Sequence, residues 1–559
     1  MSAYESLISA FGFRGVFRDD ADARAVYSES AGVARIMPRA VAVPVDADDL
    51  SALVRWAVAE RVPLIPRGSG SSMANGAVGD GVIVDLARLS WLAMPSAAEK
   101  NAATPSAVTH RVVAGAAVLR DRLQQAAVAL RQSFPVDPSS SAFATIGGMC
   151  ATHAAGARTV RYGPLRDWIL GVECVFDDGS RGWVRRGEPL PDVPSLQRFV
   201  ADVAPQIMAT EPLLLRHEGV RKESSGYALS DFARTSDVLD VLIGSEGTLA
   251  IITAVEVRLT PMAEATASLL AGFTDLADAA RCAGELARRG ASAVELLDKS
   301  FLEIAASGGR ALPLPAGLEA VLIVEAEMRD EGTARQLVEK LAACAEAGGA
   351  THVQTAMTTE DEVRLWQLRH AASPILNELA PRLQSLQVVE DGCVPPERFA
   401  EYVRTVRAAL DRARFKGVIF GHAGDAHAHV NALVDTSEPD WRARCEQLLD
   451  EVTAEVARLG GTLAGEHGDG RLRTPLMART WSPQAIALFA ATKAAFDPAG
   501  VFNPGVKVPV AGARPLGDIK YDPALSPLPE AARAALDMVV REKAWARHRL
   551  DLLGTKAEG

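Results

Sequence analysis

The chain has 559 residues, 48% of them hydrophobic, and a formal net charge of −11; that is apolar material for more than one core, and the wrong sign for nucleic acid, whose binders need a basic surface to displace counterions. No apolar run reaches the roughly 18 residues of a membrane span, and residues 1–50 lack the basic start, apolar centre and cleavage site of a secretory signal, so the expected compartment is the cytoplasm, with peripheral attachment at the inner membrane left open. The six cysteines, at 150, 174, 282, 344, 393 and 445, form no CxxC pair, so neither a disulfide framework nor an iron–sulfur cluster is expected.

From about 38 to 261 short Val/Ile segments are broken by Gly and Pro, which predicts a mixed α+β block with strands at 41–44, 64–66, 82–86, 172–176 and 249–259 and helices at 46–60 and 117–131. Residues 263–357 read strand (267–273), helix (276–289), strand (293–297), helix, strand (320–327), helix (330–347), strand. That order suits an antiparallel sheet with helices on one face, in the manner of a ferredoxin-like cap. The polar motifs follow between 361 and 508. From 509 a Pro- and Gly-rich opening leads into a helix near 529–553 with Leu536, Val539 and Val540 on one face; docking onto the body is expected, and contact with a partner subunit is the alternative.

In the first block, Pro66-Arg67-Gly68-Ser69-Gly70-Ser71-Ser72 follows an apolar strand and offers small residues, hydroxyls and free backbone N–H groups, the makings of a pyrophosphate cradle. Alone it is an ordinary turn; its weight comes from company. Pro138-Ser139-Ser140-Ser141, Ala144-Thr145-Ile146-Gly147-Gly148, Ala154-Ala155-Gly156 and Tyr162-Gly163 offer a second small-residue surface against which a flat ring can lie, and Gly244-Ser245-Glu246-Gly247 makes another tight turn before a strand. Several glycine-rich loops without the GxGxxG and downstream acid of a Rossmann unit point to a large nucleotide cofactor held differently.

The densest chemistry lies in Gly421-His422-Ala423-Gly424-Asp425-Ala426-His427-Ala428-His429-Val430-Asn431, with Gly465-Glu466-His467-Gly468 downstream. Apolar flanks around Gly424-Asp425 predict a hairpin that brings His422 and His429 face to face. A helix over 441–459, closed by Gly460-Gly461, then delivers Glu466. Two neutral imidazoles and a carboxylate with an open position are the ligand set of a catalytic zinc-type site, and His467 is the adjacent base. The bland alternative is polar residues that hydrogen-bond within loops. His427 is expected at the surface, with a place as fourth ligand as the lesser alternative.

Taken together, PRGSGSS, ATIGGM, RYG, IGSEGTLAIIT, VEDGCVP, GHAGDAHAHVN, GEHG and FNPG resemble, in order, the motifs of the FAD-linked oxidase superfamily of the vanillyl-alcohol oxidase (PCMH) type, within it the D-lactate dehydrogenase, glycolate oxidase catalytic subunit and D-2-hydroxyglutarate dehydrogenase group. The resemblance spans about 20–508. It implies an α+β fold: a two-part PCMH-type FAD-binding domain (1–262), a ferredoxin-like cap domain bearing the metal site (263–508) and a C-terminal helical segment (509–559). It places the loops above on FAD, together with Ile251 and Asn503 of the matching motifs; His422, His429 and Glu466 on a divalent metal, zinc first, with manganese and iron as alternatives; His467 as base; and Asn431 and Arg369 on substrate, Arg369 pairing the carboxylate through its planar fork. The implied reaction oxidises a 2-hydroxy acid to the 2-oxo acid by hydride transfer to flavin.

Departures from the family pattern refine this. GDAHAH stands where GDGNLH is usual, Met149 and His153 stand where Asn is common, and the PRGSGSS loop has no histidine to tether flavin, so FAD is expected to be noncovalent. Hydroxyglutarate-type members carry a lysine before the acidic pair; here Val389 precedes Glu390-Asp391, which favours a D-lactate-like substrate with one carboxylate. No cysteine-rich cluster domain follows, so the electron acceptor is expected to be separate: a quinone, a cytochrome, an electron-transfer flavoprotein or an iron–sulfur subunit, with a homo-oligomer or hetero-complex as the assembly. The alternatives are a glycolate- or D-2-hydroxyglutarate-oxidising subunit of a larger complex, an oxidase using oxygen, a flavin-free metal hydrolase, and a noncatalytic subunit; the glycine loops disfavour the hydrolase and the intact ligand set disfavours the last.

Overall fold

The structure is a computed structural model that describes residues 3–94, 110–307, 314–378 and 383–554. The short apolar runs of the first block form two small sheets. In the first, β1 (Val16–Arg18), β2 (Ala40–Val43), β3 (Leu64–Arg67) and β4 (Val82–Asp85) lie in the order β1-β2-β4-β3, with β2 and β3 both parallel to β4. The crossover between β2 and β3 is α1 (Ala47–Glu60), started by the Asp46 side chain accepting from the Asp49 amide and stopped by Arg61 in the left-handed region. Its buried Leu50, Leu53, Val54 and Ala57 follow the helical period and pack on the sheet.

The second sheet is antiparallel throughout: β5 (Leu92–Ala93), β6 (Arg111–Gly115), β7 (Ile169–Val175), β8 (Arg181–Arg185) and β9 (Ile251–Arg258), in the order β5-β6-β9-β7-β8. The helix expected over 117–131 is confined to α2 (Arg120–Val128). A short helix that periodicity did not predict, α3 (Ile146–Thr152), starts at Thr145, whose Oγ1 accepts from the Gly148 amide at 3.2 Å.

The cap is one antiparallel sheet. Its members are β10 (Ala265–Phe273), β11 (Ala293–Asp298), β12 (Ala320–Met328), β13 (His352–Ala356), β14 (Gln384–Leu386), β16 (Lys416–His422) and β17 (His427–Val434), running β13-β10-β12-β11-β16-β17-β14, with the short β15 (Gly392–Cys393) also paired to β17. Helices cover both of its faces, not the one expected. Leu269, Ala271, Phe273, Leu322 and Val324 pack under α4 (Leu276–Arg288) and α6 (Glu331–Ala347), while Leu270, Leu297, Val321 and Ile323 meet α5 (Lys299–Ser307) and α7 (Thr359–Glu378) through Phe301, Ile304, Leu365 and Leu368. The physical reason is composition: consecutive strand residues are apolar, so both pleat faces must be removed from water. Two further helices, α8 (Phe399–Arg412) and α9 (Trp441–Arg458), join the α4 side.

The chain then returns to the first lobe. Leu488, Phe489 and Phe496 of α10 (Pro483–Phe496) pack with Phe199 and Tyr227, and Phe502 joins the core of the first sheet. In the tail, α11 (Glu530–Arg541) lays Ala532, Ala535, Leu536 and Val539 against Ala25, Val26, Tyr27, Val41 and Val43, so it docks onto the body. It ends well short of 553, and Val540 is 44% exposed rather than on the docked face, because burial of 532, 535, 538 and 539 turns the stripe away from 540. Two 3-10 turns, Ala544–Ala546 and Arg549–Gly554, complete it.

Candidate metal and substrate site

Strand register decides which side chains meet. Phe420 of β16 stands opposite His429 of β17; with a period of two, 420, 422, 427 and 429 share one face of the hairpin. His422 and His429 therefore approach diagonally, with ring centroids 5.3 Å apart, and His427 sits 5.5 and 4.7 Å from them. His427 is fully buried, not at the surface as expected. Its parity with His429 was the sequence signal for this. Gly424-Asp425 falls in the turn as predicted, with Ala426 taking the left-handed residue at φ 57°.

Glu466 arrives from the far side. Gly465 makes the approach possible, since a Cβ there would stand 2.8 Å from His427 Nε2. The Asp391 carboxylate accepts from the His467 amide at 3.0 Å and from the Glu466 amide at 3.3 Å, which fixes the loop. As a result one carboxylate oxygen, Glu466 Oε1, has His422 Nε2 at 3.2 Å, His429 Nε2 at 3.4 Å and His467 Nε2 at 3.5 Å.

The other ring nitrogens face acceptors: His422 Nδ1 meets Glu295 Oε1 at 2.6 Å, His429 Nδ1 the Glu390 carbonyl at 3.0 Å, and His467 Nδ1 Glu390 Oε2 at 2.8 Å. These partners place the proton of each neutral ring on Nδ1 and a lone pair on Nε2. With the rings neutral, three lone pairs aimed at a carboxylate oxygen would repel it, and a cation would turn that repulsion into coordination. Ligand–ligand spacings of 3.2 and 3.4 Å suit atoms bonded to one ion at about 2.1 Å. His427 offers a fourth donor: its Nε2 meets Asp391 Oδ1 at 2.9 Å, and its buried Nδ1 has no hydrogen-bond partner. The donor set therefore fits a divalent metal.

Electrostatics agree. Burial pushes the His422, His429 and His467 imidazoles down, but the carboxylates around them outweigh it and hold all three up, His467 at about 9. Burial wins at His427 and lowers it to about 4. Glu466 is buried, which would raise it, yet the Lys222 and His422 charges hold it well below the carboxylate range.

Sequence reasoning missed this supporting shell. Lys222, fully enclosed, reaches Glu466 Oε2 at 3.0 Å and the Gly156 carbonyl at 2.9 Å. Glu295 and Glu390 orient the histidines; a glutamate inside the apolar strand 293–298 was the readable sign for the first. Glu295→Gln is expected to weaken metal binding by about 10- to 100-fold with FAD retained, as loss of an orienting partner does, checked by metal analysis after dialysis against a graded chelator. Arg369 of α7 donates through Nε to Glu295 Oε2 at 2.6 Å, with its guanidinium 5.0 Å from the Phe420 ring centroid; among the described residues no acceptor meets its Nη atoms. Asn431 continues the histidine face of β17, two residues beyond His429.

The predicted cofactor loops also converge. A Cβ on Gly68 would stand 2.4 Å from Thr145 Oγ1, and one on Gly247 2.9 Å from Pro66. Among the described residues, the amides of Ser69, Gly70, Ser71 and Ser72 donate to no protein acceptor, and the buried Ser72 Oγ has no partner. That is a cradle fit for a pyrophosphate. Pro138 begins the turn that leads to Ala144, and Gly147 lies against Ala116. Ala154 is buried near Gly156, whose carbonyl is tied to the histidine–glutamate cluster through Lys222, and Tyr162-Gly163 closes the next short helix.

Four of the expected contacts have side chains committed elsewhere. Arg67 donates to the carbonyls of Tyr27, Glu29 and Ala77. Glu246 accepts from the amides of Asp469 and Gly470 and pairs Lys507 at 3.0 Å. Asn503 donates to the Gly76 and Glu246 carbonyls, and Ile251 lies in the core. These residues hold the loops in place from behind.

Comparison with known proteins identifies relatives of the chain. Residues 38–184 match the family described as FAD binding domain and residues 262–506 that of FAD linked oxidases, C-terminal domain. Glycolate oxidase subunit GlcD of Bacillus subtilis (strain 168) is 30% identical over 507 residues, covering 90% of this chain and 95% of that protein. D-lactate dehydrogenase of Archaeoglobus fulgidus is 29% identical over 480 residues, covering 84% and 92%. Among solved structures, 4-ethylphenol oxidase from Gulosibacter chungangensis superposes with a TM-score of 0.67 at 16% identity, covering 90% and 96%, a likeness of fold.

Proposed function

We propose that this chain, which belongs to the FAD-linked oxidase family, oxidises a 2-hydroxy acid with one carboxylate to the 2-oxo acid, with noncovalent FAD and a divalent cation held by His422, His429 and Glu466. The observation that carries this reading is the meeting of three imidazole Nε2 atoms at one oxygen of Glu466 within 3.2–3.5 Å, joined through His422 and Glu295 to Arg369. When bound, FAD supplies the hydride acceptor and the cation supplies Lewis acidity toward the substrate hydroxyl.

The chain's own residues do the rest. Glu390 fixes His467 with Nε2 facing the cluster, placed to take the hydroxyl proton. Carboxylates raise this imidazole, and a cation held by His422, His429 and Glu466 would oppose them and favour its base form. Arg369, its Nε held by Glu295, is left with a fork for the carboxylate, and Asn431 contacts the same substrate. The other cations near the cluster are committed: Lys222 to Glu466, and Arg473 to Glu390 and the Gly468 carbonyl. Val389 packs in the apolar core of the cap. Among the described residues the Arg369 Nη atoms meet no acceptor although its Nε pairs Glu295, and one such fork favours one carboxylate.

Zinc leads as the metal on its nitrogen and oxygen donors, with manganese and iron next. A separate electron-accepting subunit fits the relative named as a subunit. Among the described residues no helix is long and apolar enough to cross a membrane; the proposed setting is the cytoplasm, free or at the membrane surface.

The test is anaerobic titration of the flavin absorbance with glycolate, D-lactate and D-2-hydroxyglutarate, before and after chelation. Bleaching by a monocarboxylate, lost on chelation and restored by metal, is expected. Undiminished bleaching after full metal removal rejects the metal, and preference for the dicarboxylate rejects the single-carboxylate assignment.

A further inference from the structure

The matched family domain ends at 506, and the tail beyond it does more than fill an apolar groove. Its last turn reaches the back of the loop read as the pyrophosphate cradle. Arg549, 2% exposed, donates through Nη2 to the Ser69 carbonyl at 3.0 Å and through Nη1 to the carbonyls of Ala544, Trp545 and Arg547. Its buried Nε has no partner. The Trp545 ring lies 6.3 Å from Phe143, beside the second cofactor loop.

Loop 69–72 is polarised by what stands behind it. The carbonyls of Ser69, Gly70 and Ser72 accept from Arg549, the Ala31 amide and the Gly32 amide, while the four N–H groups of 69–72 donate to no acceptor among the described residues. A donor on a peptide carbonyl strengthens the N–H of the same peptide unit as a donor, so Arg549, on the Ser69 carbonyl, acts on the Gly70 amide directly. Arg67 adds a second cation beneath the loop; a Cβ on Gly70 would stand 2.4 Å from its Nη2.

The charge there does not balance. Arg67 and Arg549 are both buried and bonded to carbonyls, and the nearby carboxylate, Asp85, is taken by the Tyr27 hydroxyl and the Ala87 amide at 2.9 Å. His548 Nε2 stands 3.6 Å from the same carboxylate. Burial, with Arg67 nearby, pushes the Arg549 guanidinium down to about 9. An excess of buried positive charge is costly unless an anion meets it, and the anion that fits between four free amides is a diphosphate.

We propose that the C-terminal tail is a third element of the dinucleotide site, with Arg549 supplying buried positive charge and peptide polarisation to the loop that holds the FAD diphosphate. This rests on the FAD reading above and adds a residue set outside the matched domains. It also accounts for the tail's docking on the first lobe, where α11 and Leu552 bury themselves beside β2, β3 and β4.

The experiment compares the full-length protein with Arg549→Gln and Arg549→Lys, each stripped of flavin, by titration with FAD, ADP and riboflavin and by the apoprotein Tm. Arg549→Gln is expected to weaken FAD and ADP by the same factor, about tenfold or more for loss of one charge-assisted contact, and to leave riboflavin unchanged; Arg549→Lys regains most of the loss. Flavin release from the holoprotein, followed by fluorescence, measures the same effect without the apoprotein. Unchanged FAD affinity in Arg549→Gln overturns the proposal, as does equal weakening of all three ligands with a fall in Tm, which makes Arg549 a staple for the tail alone. If Arg549→Gln does not fold, Arg549→Lys decides: ADP binding close to the parent's while Tm falls supports the proposal, and ADP binding that falls in step with Tm overturns it. Failure of the native protein to take up FAD at all would instead sink the cofactor reading, a separate outcome.

Discussion

His467→Ala is expected to bind FAD as the native protein does and to lose about 10²- to 10⁴-fold in the rate of flavin reduction by substrate, the range for removal of a positioned general base. At 27% side-chain exposure His467 is the most open member of the cluster, against 7% for His422, 9% for His429 and 6% for Glu466, so it is the imidazole a substrate can reach. Its geometry is imposed from behind by Glu390, with Arg473 in turn on that carboxylate. The stacked His429 ring, 5.2 Å away and 14° from coplanar, limits its rotation. Anaerobic stopped-flow reduction checks this, with metal content measured on the same sample. A native rate in a metal-replete variant would remove His467 from the chemistry, while loss of metal alongside activity would make it a ligand instead.

Glu466→Gln should abolish turnover for a different reason: metal binding falls by more than about 100-fold, because the anionic member of the set is gone while the histidines stay. A second consequence is thermodynamic. Lys222 is wholly buried and loses the charge of its 3.0 Å partner, keeping the Gly156 carbonyl at 2.9 Å and, as a carboxylate, Asp425 at 3.6 Å; breaking a buried pair from one side costs about 3 kcal/mol. The double variant Lys222→Met/Glu466→Gln separates the two effects, since removing both partners should recover most of the stability and none of the metal. Elemental analysis and thermal unfolding read them independently. Full metal occupancy in Glu466→Gln would mean the cation is held elsewhere, with the second acidic group of Glu390, Asp391, His429 and His467 the place to look.

Particular residues show how far the sequence carried. The strands at 41–44, 64–66 and 82–86 were legible because strands buried on both faces read as short apolar runs between turns. The meeting of His422 and His429 was legible because a hairpin's flanks alternate. His427 was not read correctly, although the same alternation put it with His429; a lone polar residue near a turn is usually solvated, and that prior prevailed. The second helical layer of the cap was missed for a related reason. Runs such as 320–327 are apolar on both faces, which demands two covers, but the one-sided expectation followed the order of elements and not the pleat. Arg369 reaches the site from that second layer, so the same omission hid how it is anchored.

Alone, the chain's order of residues determined the kinds of chemistry on offer: imidazoles and carboxylates at turn-like spacings, glycine loops after strands, and too little basic charge for nucleic acid. Local rules of period and turn suffice for that, because they act over a few neighbouring residues. Only tertiary structure decided the partners. Glu295 lies 127 residues from His422, Lys222 244 from Glu466, and Arg549 480 from Ser69. Those distances in sequence are closed by burial of the sheets and a returning tail. Burial is non-directional and depends on the whole chain at once, so no local pattern announces which carboxylate will face which imidazole.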